Sequence, residues 1–557
     1  MKRLALGGAV GAAFILCWVG AGVEPSSLLD PANLRAVAAF VRGLFPPDLS
    51  LEFLRVAAGA TVRTLAISIA GTALSAILGL CLGILATASL WRRGPLLDGR
   101  AAGPLALLSL AARGVARFLR AVPDLVWALL FVVAFGLGPL PGTLALAVSY
   151  AGVLGRVYAD LFEAVPEAPV VALHAAGASP LQTFVAAIWP QAAGSVAAYT
   201  LYSFECCVRS AAVLGFVGAG GIGAEITLSM RLFEYGQLTT LLGALVVLVL
   251  CVDAFSRAWR GRFRRNAVHG SGVLQDPLEL RPMRRRGFGF FWAVVAVVAF
   301  ADAGFGSLLA PDVLAHVARF ASQLFPPDLS PSFLTSILTP LWQTVAISVV
   351  GTVLGVLLGA GLAVPATASI MFDPEARLRP LRALAYAVAR STLALLRSIP
   401  ELVWVLLCIL AVGLGPFAGV LALGLHTAGV LGKLYAETLE EVPIGGPEEL
   451  RAIGAHALQR LIWAAWPQAR ETLASYTLLR WENNLRVSTV VGLAGGGGLG
   501  LALYNAVQLG FYDRASTLVM VVFLLVSVTD ALADRLRRKP AAQRAPESGM
   551  ALVAEAG

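Results

Sequence analysis

Long apolar runs that do not alternate with polar residues dominate this chain. They lie near residues 4–22, 60–88, 117–137, 142–161, 192–218 and 236–256, and again near 288–309, 340–368, 395–415, 418–438, 469–495 and 513–534. A helix of about 20 apolar residues crosses the hydrocarbon layer of a bilayer. Only helices and closed barrels satisfy their backbone there, and the lack of a two-residue period selects helices. The pattern predicts an all-α polytopic membrane protein with about 12 transmembrane helices, six in each half.

Composition agrees. The chain has 557 residues, 58% hydrophobic and 13% charged, against roughly a quarter charged for a soluble domain. The net charge of +9 could suit nucleic acid, but the arginines lie between apolar runs, so membrane topology explains them and no nucleic-acid partner is expected. Arg92, Arg93, Arg100 and Arg113 follow the second run, Arg257 to Arg265 and Arg281 to Arg286 follow the sixth, and Arg535 to Lys539 close the last. All fall on one side if the amino terminus is cytoplasmic. Met1-Lys2-Arg3 and its apolar run could be a cleaved signal peptide. Arg284-Arg-Arg286 before the run at 288–309 occupies the equivalent place in mid-chain, so both are read as retained spans. Six cysteines lie in or beside apolar runs without metal-ligand spacing and are read as small core residues.

The chain also repeats itself. Phe45-Pro-Pro-Asp-Leu-Ser50 returns as Phe325-Pro-Pro-Asp-Leu-Ser330, and Gly71-Thr72 as Gly351-Thr352. Ala151-Gly-Val-Leu-Gly155 returns as Ala428-Gly-Val-Leu-Gly432, and Trp189-Pro-Gln191 as Trp466-Pro-Gln468. The offset is 280 and then 277, the change falling between residues 89 and 117 in an inside loop, where length changes are tolerated. Residues 1–256 form a first half, 257–287 a basic cytoplasmic linker, 288–538 a second half and 539–557 a disordered tail. An even span count makes the halves parallel, forming one pseudo-dimeric pore.

In the inside loop between the fourth and fifth spans, Gly177 is followed thirteen positions later by Pro190, and Gly454 by Pro467. Helix formers flank each pair. The spacing predicts a short helix, a Gly bend, a second helix and a stop at Pro, a hairpin suited to a partner's groove. These residues resemble the EAA loop of binding-protein-dependent ABC importer permeases, of the type I fold. The resemblance implies that Gly177 and Pro190 in one half, and Glu448, Gly454 and Pro467 in the other, dock an ATPase subunit. Val171 stands where the family has Glu.

The fifth spans narrow the resemblance. Phe204-Glu-Cys-Cys-Val-Arg209 leads into Gly218-Ala-Gly-Gly-Ile-Gly223, and Trp481-Glu-Asn-Asn-Leu-Arg486 into Gly495-Gly-Gly-Gly-Leu-Gly500. These segments are similar to phosphonate importer permeases, as are Arg120-Ala-Val-Pro-Asp124, Arg397-Ser-Ile-Pro-Glu401, Asp253 and Asp530. Glu205/Arg209 and Glu482/Arg486 are i,i+4 pairs in the favoured order. Charges within a span are costly unless paired or wetted. Two readings follow: self-neutralising pairs that hold the bundle, or guanidinium groups, one per half, facing an oxyanion in transit.

The glycine strings follow helical runs and not strands, so the dinucleotide-loop reading fails and close packing or a turn at the outer mouth remains. No Gly-x-x-x-x-Gly-Lys-Ser/Thr occurs, the five histidines show no metal spacing, and no catalytic set can be argued. The resemblance implies a non-enzymatic permease of the bacterial inner membrane. It would bind no cofactor of its own and work with two ATP-binding subunits and an extracytoplasmic solute-binding protein to import phosphonate or a related phosphorus oxyanion. Two alternatives stay open: another small solute such as an amino acid, or a gradient-driven 12-helix carrier.

Overall fold

A computed structural model describes residues 2–24, 26, 30–91, 104–268, 304–306, 311–372, 379–442 and 445–537. Regular structure among them is helical throughout. In chain order come α1 (Lys2–Gly20), α2 (Pro31–Gly43), α3 (Leu51–Ala86), α4 (Pro104–Ala121), α5 (Asp124–Phe135), α6 (Pro139–Glu163), α7 (Glu167–Ala175), α8 (Pro180–Val217), α9 (Ile222–Arg231) and α10 (Tyr235–Val268). The series from α2 then returns as α11 (Pro311–Gln323), α12 (Pro331–Ala366), α13 (Arg379–Ser398), α14 (Glu401–Val412), α15 (Pro416–Glu440), α16 (Gly445–Ala452), α17 (Ala457–Gly496), α18 (Gly498–Gln508) and α19 (Tyr512–Arg537). Seven of these are long and apolar enough to cross a membrane, and three bent pairs qualify as one span each. Residues 288–303 and 307–309 of the span expected at 288–309, the linker beyond residue 268 and the tail at 539–557 lie outside the described residues.

By their contacts, residues 1–40 group with 327–557 into one compact unit, and residues 41–326 form the other. In the first unit, Cys17 and Ala21 are buried with Ala346, Ile347 and Val350 of α12 and Phe417, Val420 and Leu423 of α15. Of the six cysteines, Cys17, Cys207 and Cys408 are buried, but Cys81 and Cys251 are exposed on spanning helices. The core assignment fails for those two: a thiol is apolar enough for a lipid-facing position.

The main packing in each unit is α3 on α6, or α12 on α15. In bilayers such crossings rely on small residues that let backbones approach. A Cβ added at Gly71 would stand 2.7 Å from that of Leu146, at Gly79 2.7 Å from that of Leu154, and at Gly355 2.5 Å from Thr427 Cγ2. The hydroxyls along this face donate to their own helix: Thr64 to Ala60 O, Ser68 to Thr64 O and Thr72 to Ser68 O, at 2.7–2.9 Å. None is left unsatisfied at that interface.

The third spans are not single helices over 117–137 and 395–415. They begin further upstream and bend by 87° between α4 and α5, and by 98° between α13 and α14. Pro123 and Pro400 sit at the bends, where a missing N–H and a steric clash with the preceding turn break the helix. The tryptophan four residues on fastens each bend. Trp127 Nε1 donates to Leu119 O at 3.4 Å and Trp404 Nε1 to Leu396 O at 3.1 Å. Gly152 and Gly429, in the repeated Ala-Gly-Val-Leu-Gly motif, admit the bend: a Cβ on either would lie 2.6 Å from the backbone nitrogen of Arg120 or Arg397.

The Pro-Pro-Asp repeats anchor the start of the last span. Asp48 N donates to Gly236 O at 3.0 Å and Thr240 Oγ1 to Asp48 O at 2.7 Å. In the other unit, Asp328 N donates to Asp513 O at 3.3 Å and Thr517 Oγ1 to Asp328 O at 2.9 Å. Hydrogen bonds from the Ser50 N–H and hydroxyl hold the Asp48 carboxyl below its ordinary range. Those from the Ser330 hydroxyl and N–H, with Arg514, do the same for Asp328.

Candidate functional site

The paired loops are helix-elbow-helix units of one design. In the first, α7 closes with Ala178 N donating to Leu173 O at 3.0 Å while Gly177 takes φ +81°. In the second, α16 closes with Ala455 N donating to Leu450 O at 3.0 Å while Gly454 takes φ +84°. A six-to-one bond over a left-handed residue is the helix ending glycine permits at least cost. Ser179 and His456 then start α8 and α17, each with its backbone N–H bonded at 2.8 Å to the side chain of Gln182 or Gln459. Glu448 lies on α16.

The expected stop at proline does not occur. Helix α8 continues through Pro190 and α17 through Pro467 into the fifth spans. Directly before the tryptophan that precedes each proline the helix widens for five residues, 184–188 and 461–465. There the N–H of Trp189 reaches Phe184 O and that of Trp466 reaches Leu461 O. A π-turn makes room for the ring and leaves the missing donor at the start of the next turn. The apolar residues around the elbows divide into two sets. Phe184 packs edge-on to Phe162 at 5.1 Å, at the end of α6, and Leu461 shares a core with Leu439, at the end of α15. Val171, Leu181 and Val185 in one loop are exposed. So are Leu458, Ile462, Ile453 (80%) and Trp463 (74%) in the other.

The fifth-span charges are embedded. Arg486 Nη2 lies 3.6 Å from Glu482 Oε1 and 3.2 Å from Asp530 Oδ1, so the anticipated i,i+4 pair exists and gains a third member from α19. Arg209 Nη2 approaches Cys206 Sγ at 3.6 Å. Glu205 is 7% exposed.

One polar cluster escaped the sequence reading. Glu401 opens α14 just after the Pro400 bend. Its Oε1 is 3.1 Å from His426 Nε2 on α15 and 3.5 Å from Arg480 Nη2 on α17. His426 Nδ1 also meets Ile399 O at 3.1 Å. One turn along α17, Asn484 Nδ2 donates to Thr352 at 2.8 Å and to Thr427 at 3.0 Å. The equivalent first-half positions hold Asp124, Ser149, Ser203 and Cys207. Aligning the halves exposes an Arg facing a Ser, which is the signal that was available. Arg480 is 6% exposed, and removing one partner of a buried pair costs on the order of 3 kcal/mol. Glu401→Ala therefore lowers the thermal midpoint of the detergent-solubilised protein clearly below that of the parent. An unchanged midpoint would show that the cluster does not stabilise the second half.

A protein-family profile, "Binding-protein-dependent transport system inner membrane component", matches residues 99–265 and 376–541. The chain is 31% identical over 527 residues to the phosphate-import permease protein PhnE of Mycolicibacterium smegmatis, covering 92% of this chain and 91% of that one. It is 35% identical over 273 residues to the phosphite transport system permease protein PtxC of Stutzerimonas stutzeri, covering 47% of this chain and 95% of that one. Among solved structures, the MetNI methionine ABC transporter in inward-facing conformations gives a TM-score of 0.33 at 21% identity, covering 38% of this chain and 98% of that one. Twice in one polypeptide, therefore, the chain carries the transport unit, and it belongs to the family of inner membrane components of binding-protein-dependent transport systems.

Proposed function

We propose that this chain is the whole membrane-spanning permease of a type I ABC importer, moving phosphate, phosphite or a phosphonate across the bacterial cytoplasmic membrane by alternating access. The observation that carries the reading is the near full-length similarity to a phosphate-import permease, supported by a phosphite permease whose length matches about half of this chain. Residues 1–256 and 288–538 supply the two permease units, joined by the linker at 257–287, with the amino terminus cytoplasmic. The elbows at Gly177 and Gly454, with Pro190, Glu448 and Pro467, dock two ATP-binding subunits, and ATP is hydrolysed there and not in this chain. An extracytoplasmic solute-binding protein delivers ligand at the opposite face. Arg209 and Arg486 offset the desolvation of the oxyanion in transit, with Glu205 and Glu482 setting their charge balance.

Competition in proteoliposomes holding the assembled importer and its binding protein tests the substrate class. Unlabelled phosphite, phosphate or methylphosphonate should suppress uptake of radiolabelled phosphite or phosphate, and methionine should not. Uptake of methionine with no uptake of any phosphorus oxyanion would overturn the assignment.

A further inference from the structure

Both halves contain the same three-helix ionic clamp at the end of the bundle that carries the elbows. At the close of α6, Glu163 Oε1 accepts the backbone N–H of Ala88 at 2.8 Å, just past the end of α3, and pairs with Arg113 Nη2 on α4. Arg113 Nε in turn donates to Ala86 O at 2.8 Å. At the close of α15, Glu440 Oε1 accepts from Ala368 N at 2.6 Å and pairs with Arg390 Nη2 on α13 at 2.8 Å. Arg390 Nε donates to Ala366 O at 2.9 Å. Every partner recurs, including the two backbone groups. Thr87 and Thr367 cap the same ends, donating to Gly83 O and Ala363 O at 2.7 and 2.8 Å.

The position of the clamp is what gives it a role. Glu163 follows directly on Phe162, the seat of Phe184 at the root of the elbow. Glu440 follows directly on Leu439, which shares its core with Leu461. On the other side, Arg113 and Arg390 sit on the helices that turn by 87° and 98° into α5 and α14. A guanidinium holding a carboxylate with one nitrogen and a carbonyl with another fixes direction as well as distance, which an ammonium cannot.

We propose that Glu163–Arg113 and Glu440–Arg390 are positioning residues that carry displacement of the elbows into the bent third spans. This rests on the elbows docking an ATPase. Motion at an elbow moves the end of α6 or α15 through the apolar seat. The clamp then moves α4 or α13 with it, and the Pro bend converts that shift into tilt of α5 or α14.

The test uses the assembled importer with its ATPases and binding protein, comparing the parent with Glu163→Gln plus Glu440→Gln. Gln keeps the acceptor for Ala88 or Ala368 N–H and removes the ion pair. Arg113→Lys plus Arg390→Lys forms the companion variant, keeping charge and losing the fork. Hydrogen exchange is followed at 167–188 and 445–465 and at 124–135 and 401–412, with and without ATP-bound ATPase. In the parent both sets of segments change exchange on docking. In the variants the elbows still respond, while the response at 124–135 and 401–412 falls by about threefold or more, and phosphite imported per ATP falls with it. A response at 124–135 and 401–412 within about twofold of the parent overturns the proposal, whatever the yield of complex. A parent with no exchange change at the elbows counts against ATPase docking there, and so against the function proposed above.

Discussion

Replacing Gly177 and Gly454 together with valine should abolish phosphorus-oxyanion uptake while the chain still inserts. Both glycines sit at φ above +80°, a conformation that costs an L-residue roughly 1–2 kcal/mol and a β-branched one more. An added Cβ meets nothing within 4 Å at either position. The penalty is therefore backbone strain at the elbow and not a packing fault in the bundle. Relief of the strain rotates α7 against α8 and α16 against α17, displacing the exposed Val171 and Leu181 in one loop, and Ile453 and Trp463 in the other, from the geometry proposed for docking. Pull-down of the ATPase subunits by the purified variant measures this directly. Wild-type recovery of ATPase together with wild-type uptake would contradict the docking role.

The second large effect is expected at Arg209 and Arg486. Converting both to lysine keeps the charge and loses the planar fork that suits a tetrahedral oxyanion. Phosphite transport should fall by about tenfold or more in kcat/KM. Arg486→Ala alone would leave Glu482 and Asp530 facing each other without the cation they share at 3.6 and 3.2 Å, so a loss there could reflect misfolding. Arg486→Ala with Asp530→Asn removes that ambiguity, and it too should lose uptake while the protein elutes as a single species. Unchanged uptake in the lysine pair and in the compensated variant would leave the arginines as bundle fasteners.

Ten of the expected spans, three of them as bent pairs, and the duplication were legible in the sequence because both are written in composition and in exact local repeats. The elbows were legible because a Gly flanked by helix formers, at the same distance before a Pro in each half, marks a helix end that favours a positive φ. The passage of the chain through Pro190 and Pro467 was not. A π-turn is a backbone response to proline and has no compositional mark. The early start of the third spans was hidden by Arg113, Arg117 and Arg120, which dilute the apolar average of an amphipathic helix that hydropathy alone cannot extend. The clamps were invisible because their partners lie 50 residues apart in sequence and half of their acceptors are backbone carbonyls. The Glu401–His426–Arg480 cluster had a trace, an Arg opposite a Ser between halves, but its meaning depends on three helices meeting at the Pro400 bend.

Energy source tests the central claim most directly. Proteoliposomes containing this chain and its binding protein, with and without the ATPase subunits, are assayed for accumulation of radiolabelled phosphite and phosphate under ATP, a proton gradient or a sodium gradient. Accumulation should require the ATPase subunits and ATP and ignore both gradients. Accumulation of either anion driven by a gradient alone, with the ATPase subunits absent, would contradict it.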